Sequence, residues 1–153
     1  MIEALIFDLH NCLAPAMEIG TEPCRPAFEA IEEANLGTLS SNALEEAIND
    51  IWSQPFDWVA DMHGFSTAMI EAGIREFGKI ETPGPLHGYG DLSVLDSFDI
   101  PLFLVTSGFR RLQESKVRTL GIVDRFLEVV VDAIDEPETR IKKRASSKES
   151  WIL

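Results

Sequence analysis

A strand, a tight turn, a helix and a second strand follow one another within residues 100–134, IPLFLVTSGFRRLQESKVRTLGIVDRFLEVVVDAI, and no other stretch restricts the fold as much. The run IPLFLVTSG is apolar, opens on Pro101, where a strand start tolerates a missing N–H, and closes on a Thr-Ser-Gly turn. In FRRLQESKVRTL, Phe109, Leu112, Val117 and Leu120 recur near helical spacing, Glu114 and Arg118 form an i, i+4 pair, and Gly121 stands where a helix is capped. The valine-rich FLEVVVDAI, 126–134, reads as the next strand, followed by the polar turn DEPETR and a charged stretch leading to a final helix near Ser146. Strand and helix alternate, which predicts the α/β class with a doubly wound parallel sheet.

Residues 2–8, IEALIFD, form a short apolar run bounded by a polar cluster and suit a first, central strand buried on both faces. Between it and the run at 100–108, residues 16–85 lack strand signals and show helical patterns in PAFEAIEEANL, NALEEAINDIW and FSTAMIEAGIREFG. That length exceeds a simple crossover, so the segment is expected to be a helical insert over the sheet's edge, with TPGPLHGYG, 82–90, as the return hinge. The expected division is an α/β core of 1–15 and 86–153 around an insert of 16–85.

Composition narrows the function classes. A 153-residue chain that is 45% hydrophobic and 25% charged has the make-up of one globular domain with a real core. Its formal net charge of -13, from 26 acidic and 13 basic residues, opposes binding to nucleic acid or anionic lipid, so a phosphate-bearing ligand needs a local basic site. No basic region precedes the first apolar run, and Asp8 cuts that run short, so neither a signal peptide nor a membrane span is expected and the cytoplasm is the expected compartment. Cys12 and Cys24 match no metal or redox spacing.

Asp8 is placed at the carboxyl end of a strand, the edge at which open α/β sheets bind ligands; the alternative is that it caps the following turn. Thr106, Ser107 and Gly108 end the second strand just before a helix, offering hydroxyls and backbone N–H groups at a positive helix terminus, a phosphate or carboxylate cradle; the alternative is simple helix capping.

These residues resemble the haloacid dehalogenase-like hydrolases. That family's first motif is an apolar strand ending in F-D-x-D-x-T-L, against FDLHNCL here; its second, an apolar strand ending in Thr or Ser, is similar to FLVTSG; and its helical cap is inserted between the two. The resemblance covers most of the chain and implies a hydrolase in which Asp8 is the nucleophile, forming an aspartyl-phosphate or aspartyl-ester that water hydrolyses. It implies a Mg²⁺ ion facing Asp8 and the backbone carbonyl of His10. Thr106 would hold the transferring group, with Ser107 and Gly108 binding substrate beside it, and a lysine beyond the third strand would neutralise its charge. Lys143, in TRIKKRA, is the best match, with Lys142 and Lys148 as rivals. The implied substrate is a small phosphate monoester; a homo-oligomer is a further possibility.

The departures from the family pattern lie in the first motif and at the end of the chain. His10 replaces the second aspartate, which in the family's phosphatases protonates the leaving group and activates water; an imidazole of ordinary pKa, about 6.5, does such work near neutral pH. Cys12 replaces the usual threonine. A fourth motif, an apolar strand ending in acids that complete the Mg²⁺ shell, does not follow the helix near Ser146; VVVDAIDE, with Asp132, Asp135 and Glu136, superficially resembles it but reads better as the third strand. The chain therefore reads as truncated or completed by a partner, with the first strand bare along one edge. Two other readings stay open: a HAD-fold binding protein without catalysis, and a dehalogenase-type hydrolase acting at carbon. Of the remaining candidates, His63, His87 and Arg25 read as solvated or marginal ligand contacts, and Trp52, Phe56 and Trp58 as core packing of the insert.

Overall fold

The structure, a computed structural model, describes residues 1–140. Three strands make one parallel sheet in the order β1-β2-β3: β1 Leu5–Phe7, β2 Leu102–Gly108 and β3 Glu128–Ala133. Helix α5, Arg110–Thr119, crosses from β2 to β3. The alternation read from residues 100–134 is therefore the architecture the chain adopts, and β3 pairs with β2 on the side away from β1.

The first strand is shorter and barer than expected. Only three residues pair, Leu5 with Leu102 through Phe7 with Leu104, and β1 lies at the sheet's edge among the described residues. Ile6, expected inside, is 71% exposed, because nothing described covers its face, while Leu5 and Phe7 face the core on the other side. Side chains alternate across a strand, so one uncovered face exposes every second residue.

Between β1 and β2 run α1 Arg25–Ala34, α2 Ser41–Asp50, α3 Phe56–His63 and α4 Thr67–Phe77. Serines start two of them: the Ser40 hydroxyl accepts the Ala43 N–H and that of Ser66 the Met69 N–H. Helix α1 buries Ala27 and Ile31 and packs against α4, which buries Met69, Ala72, Gly73 and Phe77. A Cβ on Gly73 would run into the Phe56 ring, so the missing side chain is what lets α3 and α4 close. Helix α3 is not among the patterns read from sequence; Pro55 before it and a left-handed Gly64 after it, at φ 72°, confine it to eight residues, too short for a clear apolar period.

Two apolar clusters result. One joins the insert to Phe109, Leu112 and Ile134 of the core; the other, with Leu9, Leu104, Val117 and Ile122, lies under β1 and β2. The return segment is tied down by Glu18, whose carboxylate accepts the N–H groups of His87 and Gly88 at 2.6 and 3.0 Å. No helix among the described residues is long and apolar enough to cross a membrane.

Candidate functional site

At the carboxyl edge of β1 and β2 the core and the insert enclose a cavity of about 180 Å³. Asp8, His10, Ser107, Gly108, Gln113 and Lys116 line it from the core side, and Cys24, Phe28, Trp52 and Phe56 from the insert. Asp8 directly follows β1; its Oδ1 accepts the Leu9 N–H at 2.7 Å, fixing the carboxylate while the side chain stays exposed at the cavity mouth. The turn after it needs Asn11 at φ 57°, a conformation Asn tolerates, and Asn11 Oδ1 accepts the Ala16 N–H at 3.2 Å.

His10 is the most altered of the expected residues. Its Nε2 lies 2.8 Å from Nζ of Lys116 on α5. Burial and the adjacent ammonium push the imidazole down to about 3, and burial pushes Lys116 down to about 8. At neutral pH the ring is thus uncharged and the lysine carries the proton, so Nε2 accepts from Nζ and the ring proton sits on Nδ1. The ordinary pKa of about 6.5 expected for His10 does not hold here. Burial also pushes the Cys24 thiol up.

Thr106 is 1% exposed and its Oγ1 has no hydrogen-bond partner among the described residues. It shares a sheet face with Leu102 and Leu104, whereas Ser107 turns the other way and donates to Asp132 Oδ2 at 3.0 Å. The expected cradle at the start of α5 is already partly filled: the Arg110 N–H donates to Asp135 Oδ1 at 3.0 Å, a carboxylate of the chain itself at the positive helix end. Lys143, Lys142 and Lys148 lie outside the described residues, as does the helix near Ser146.

The acids at the end of β3 and just beyond it are committed elsewhere. Asp132 is 1% exposed and meets Arg140 at 2.9 Å, and Glu136 binds the Arg110 guanidinium, with Nη2 to Oε2 at 2.7 Å. No group of three or more His, Cys, Asp or Glu side chains among the described residues is placed to hold a metal. Mg²⁺ needs about six oxygens, and here Asp8 and the His10 carbonyl are the candidates. The described residues alone therefore do not fit a resident Mg²⁺ ion.

Of the other candidates, His63 pairs with Asp50 at 2.8 Å and links α3 to α2. His87 is exposed beside Glu18, and Arg25 spans Glu22 and Glu29 on the surface. Phe56 is core, Trp58 is exposed, and Trp52, half-buried against Phe28, doubles as cavity wall. Lys116 and Gln113 are the site residues that reading the sequence missed. Both occupy positions of α5 that share a face with Phe109, Leu112, Val117 and Leu120, and a polar residue on an apolar stripe was the available signal.

No family profile and no curated protein matches the chain. Solved structures do. The magnesium-bound HAD-hydrolase YfnB of Bacillus subtilis is 14% identical, with 85% of this chain matched to 63% of that one at a TM-score of 0.45. A HAD-superfamily hydrolase of subfamily IA from Geobacter sulfurreducens is 14% identical (93% and 65% covered, TM-score 0.45), and an L-2-haloacid dehalogenase from Xanthobacter autotrophicus 13% (93% and 60%, TM-score 0.43). The chain spans less than two thirds of the length of each. The solved structures that the chain resembles are hydrolases of the haloacid dehalogenase type, the group its motifs resemble.

Proposed function

We propose that the chain carries the nucleophilic core and cap of a haloacid dehalogenase-like hydrolase that attacks a small phosphate monoester through Asp8. The observation that supports it most is the placement of Asp8: an accessible carboxylate, held by the Leu9 N–H, at the mouth of a cavity walled by strand ends on one side and aromatic side chains of the insert on the other. Such a crevice admits a small ligand and limits water around it. Asp8 Oδ2 would attack phosphorus, the bond to the leaving alcohol would break, and water would then cleave the aspartyl-phosphate. The resemblance makes Mg²⁺ the expected cofactor, which would supply charge neutralisation for the transferring group; the described residues do not by themselves make its site.

The state of His10 favours a second reading. A neutral imidazole is a poor acid for a leaving alcohol, so a pocket that binds without turnover, or hydrolysis at carbon, which needs no such acid, is the competing function. Hydrolysis of an aryl phosphate, with and without Mg²⁺, decides between them when Asp8→Asn and His10→Asp are run alongside. The phosphatase reading expects Asp8→Asn to be silent and His10→Asp to keep or raise the rate. Halide release from a 2-haloacid by the wild-type chain without metal points to carbon; silence in both assays leaves a binding protein.

A further inference from the structure

Lys116 is 5% exposed, yet no carboxylate among the described residues lies within ion-pair distance of it. Its Nζ hydrogen-bonds the ring nitrogen of His10, and the Cys24 thiol is close enough to act on its charge. An ammonium taken out of water is costly unless an anion or a set of acceptors compensates it. One turn earlier on the same face, Gln113 is 3% exposed, and its Oε1 has no partner among the described residues. Both side chains line the cavity that Asp8 opens into, and the insert contributes Phe28, Trp52 and Phe56 to its wall beside Ser53 and Gln54. A buried cation and an unsatisfied amide one helical turn apart, in the wall of a cavity, are the polar groups of a built site.

We propose that Lys116 and Gln113 form a subsite for the non-reacting end of the ligand, and that this end is a carboxylate bearing a neighbouring hydroxyl, as in a small hydroxy acid. The carboxylate accepts from Lys116 Nζ, and the hydroxyl donates to Gln113 Oε1. Asp8 lines the same cavity but makes no ion pair with Lys116, so the two groups can serve opposite ends of one molecule. The assignment rests on the cavity being the substrate site and narrows the substrate to a phosphate ester of a dihydroxy acid, esterified at a hydroxyl other than the one beside the carboxylate. It does not require that the chain turn the substrate over.

Isothermal titration with lactate, and separately with inorganic phosphate, tests this on wild-type protein, Lys116→Met, Lys116→Arg, Gln113→Leu and Asp8→Asn. Lactate is expected to bind wild type and, without loss, Asp8→Asn, whose cavity carries one negative charge fewer; to lose about tenfold or more in affinity with Lys116→Met; and to lose less with Gln113→Leu or Lys116→Arg. Equal lactate affinity in wild type and a folded Lys116→Met, or no lactate binding to wild type, overturns the subsite. So does a loss confined to phosphate, which would make Lys116 a partner of the transferred group. Should Lys116→Met not fold, the His10 ring signals of wild type decide by NMR: lactate must shift them where the same concentration of sodium chloride does not. Lactate binding without phosphatase turnover would sink the proposed reaction and leave the subsite standing; turnover without lactate binding would do the reverse.

Discussion

Arg140 Nη2 lies 2.8 Å from Asp57 Oδ2 on α3, while Nη1 of the same guanidinium lies 2.9 Å from Asp132 Oδ2 on β3. One side chain, 8% exposed, thus joins the insert to the sheet, and through Asp132 to Ser107 at the cavity edge. Removing the cation from beside a nearly buried carboxylate is expected to cost about 3–5 kcal/mol. Arg140→Met should show this in urea unfolding, and Asp57→Asn, whose partner keeps Asp132, should cost much less. Equal and small losses in both would mean that the bridge does not couple the two parts.

A second joint is aromatic. The Phe77 ring from the end of α4 stacks on Phe109 at the start of α5, with centroids 5.0 Å apart and planes at 18°, and Phe56 closes on the same ring at 5.8 Å. Phe109→Ala is expected to destabilise by about 3–5 kcal/mol, since it leaves a cavity inside the cluster that joins the insert to the core. Phe109→Leu should recover most of that. Chemical unfolding of both variants checks the order, and a loss no larger for Ala than for Leu would show that the ring is not a packing joint.

The crossover from β2 through α5 to β3 was legible because each element there carries its own signal: a continuous apolar run, a 3.6-residue period with a glycine stop, and a valine cluster. The first strand misled for a physical reason. IEALIFD has the composition of a doubly covered strand, but composition does not say which neighbours are present, and only Leu5–Phe7 pair. Helix α3 went unread because eight residues between Pro55 and Gly64 hold too few turns to show a period. In the site, Asp8, Ser107 and Gly108 line the cavity and could be found from strand ends. Lys116 could not, since LQESK looks like any charged helix surface until the phase of Leu112 and Val117 is followed through it.

Gly73 sits in α4 against Phe56, where any Cβ meets the ring. In most helices Gly→Ala adds stability, because alanine is the better helix former by about 1 kcal/mol. Here overpacking should outweigh that gain, so Gly73→Ala is expected to lower stability by about 1–3 kcal/mol. Pairing it with Phe56→Leu, which shortens the obstructing group, should remove part of the loss. A Gly73→Ala protein that melts higher than wild type would show that α3 and α4 have room to move apart.

The His10 contact with Lys116 makes a pH prediction whose sign is fixed. In the folded chain His10 holds its proton only below about 3, whereas in the unfolded chain it takes one up near its ordinary value of 6.5. Between those values the unfolded state binds more protons at this residue, so stability falls as pH falls through that window and is unaffected by His10 above it. The facing groups do not reverse this: Lys116, at about 8, stays charged throughout the window and opposes a second positive charge beside it. Carboxylates elsewhere also lose stability in acid, so the quantity to follow is the difference between wild type and His10→Gln, which keeps a polar group but cannot titrate. From pH 7 to pH 4.5 wild type should lose stability faster than the variant in urea unfolding, and the two curves should run parallel between pH 7 and pH 7.5. Parallel curves across the acid range would mean that His10 titrates alike in both states, and so that the imidazole is neither desolvated nor held against the lysine.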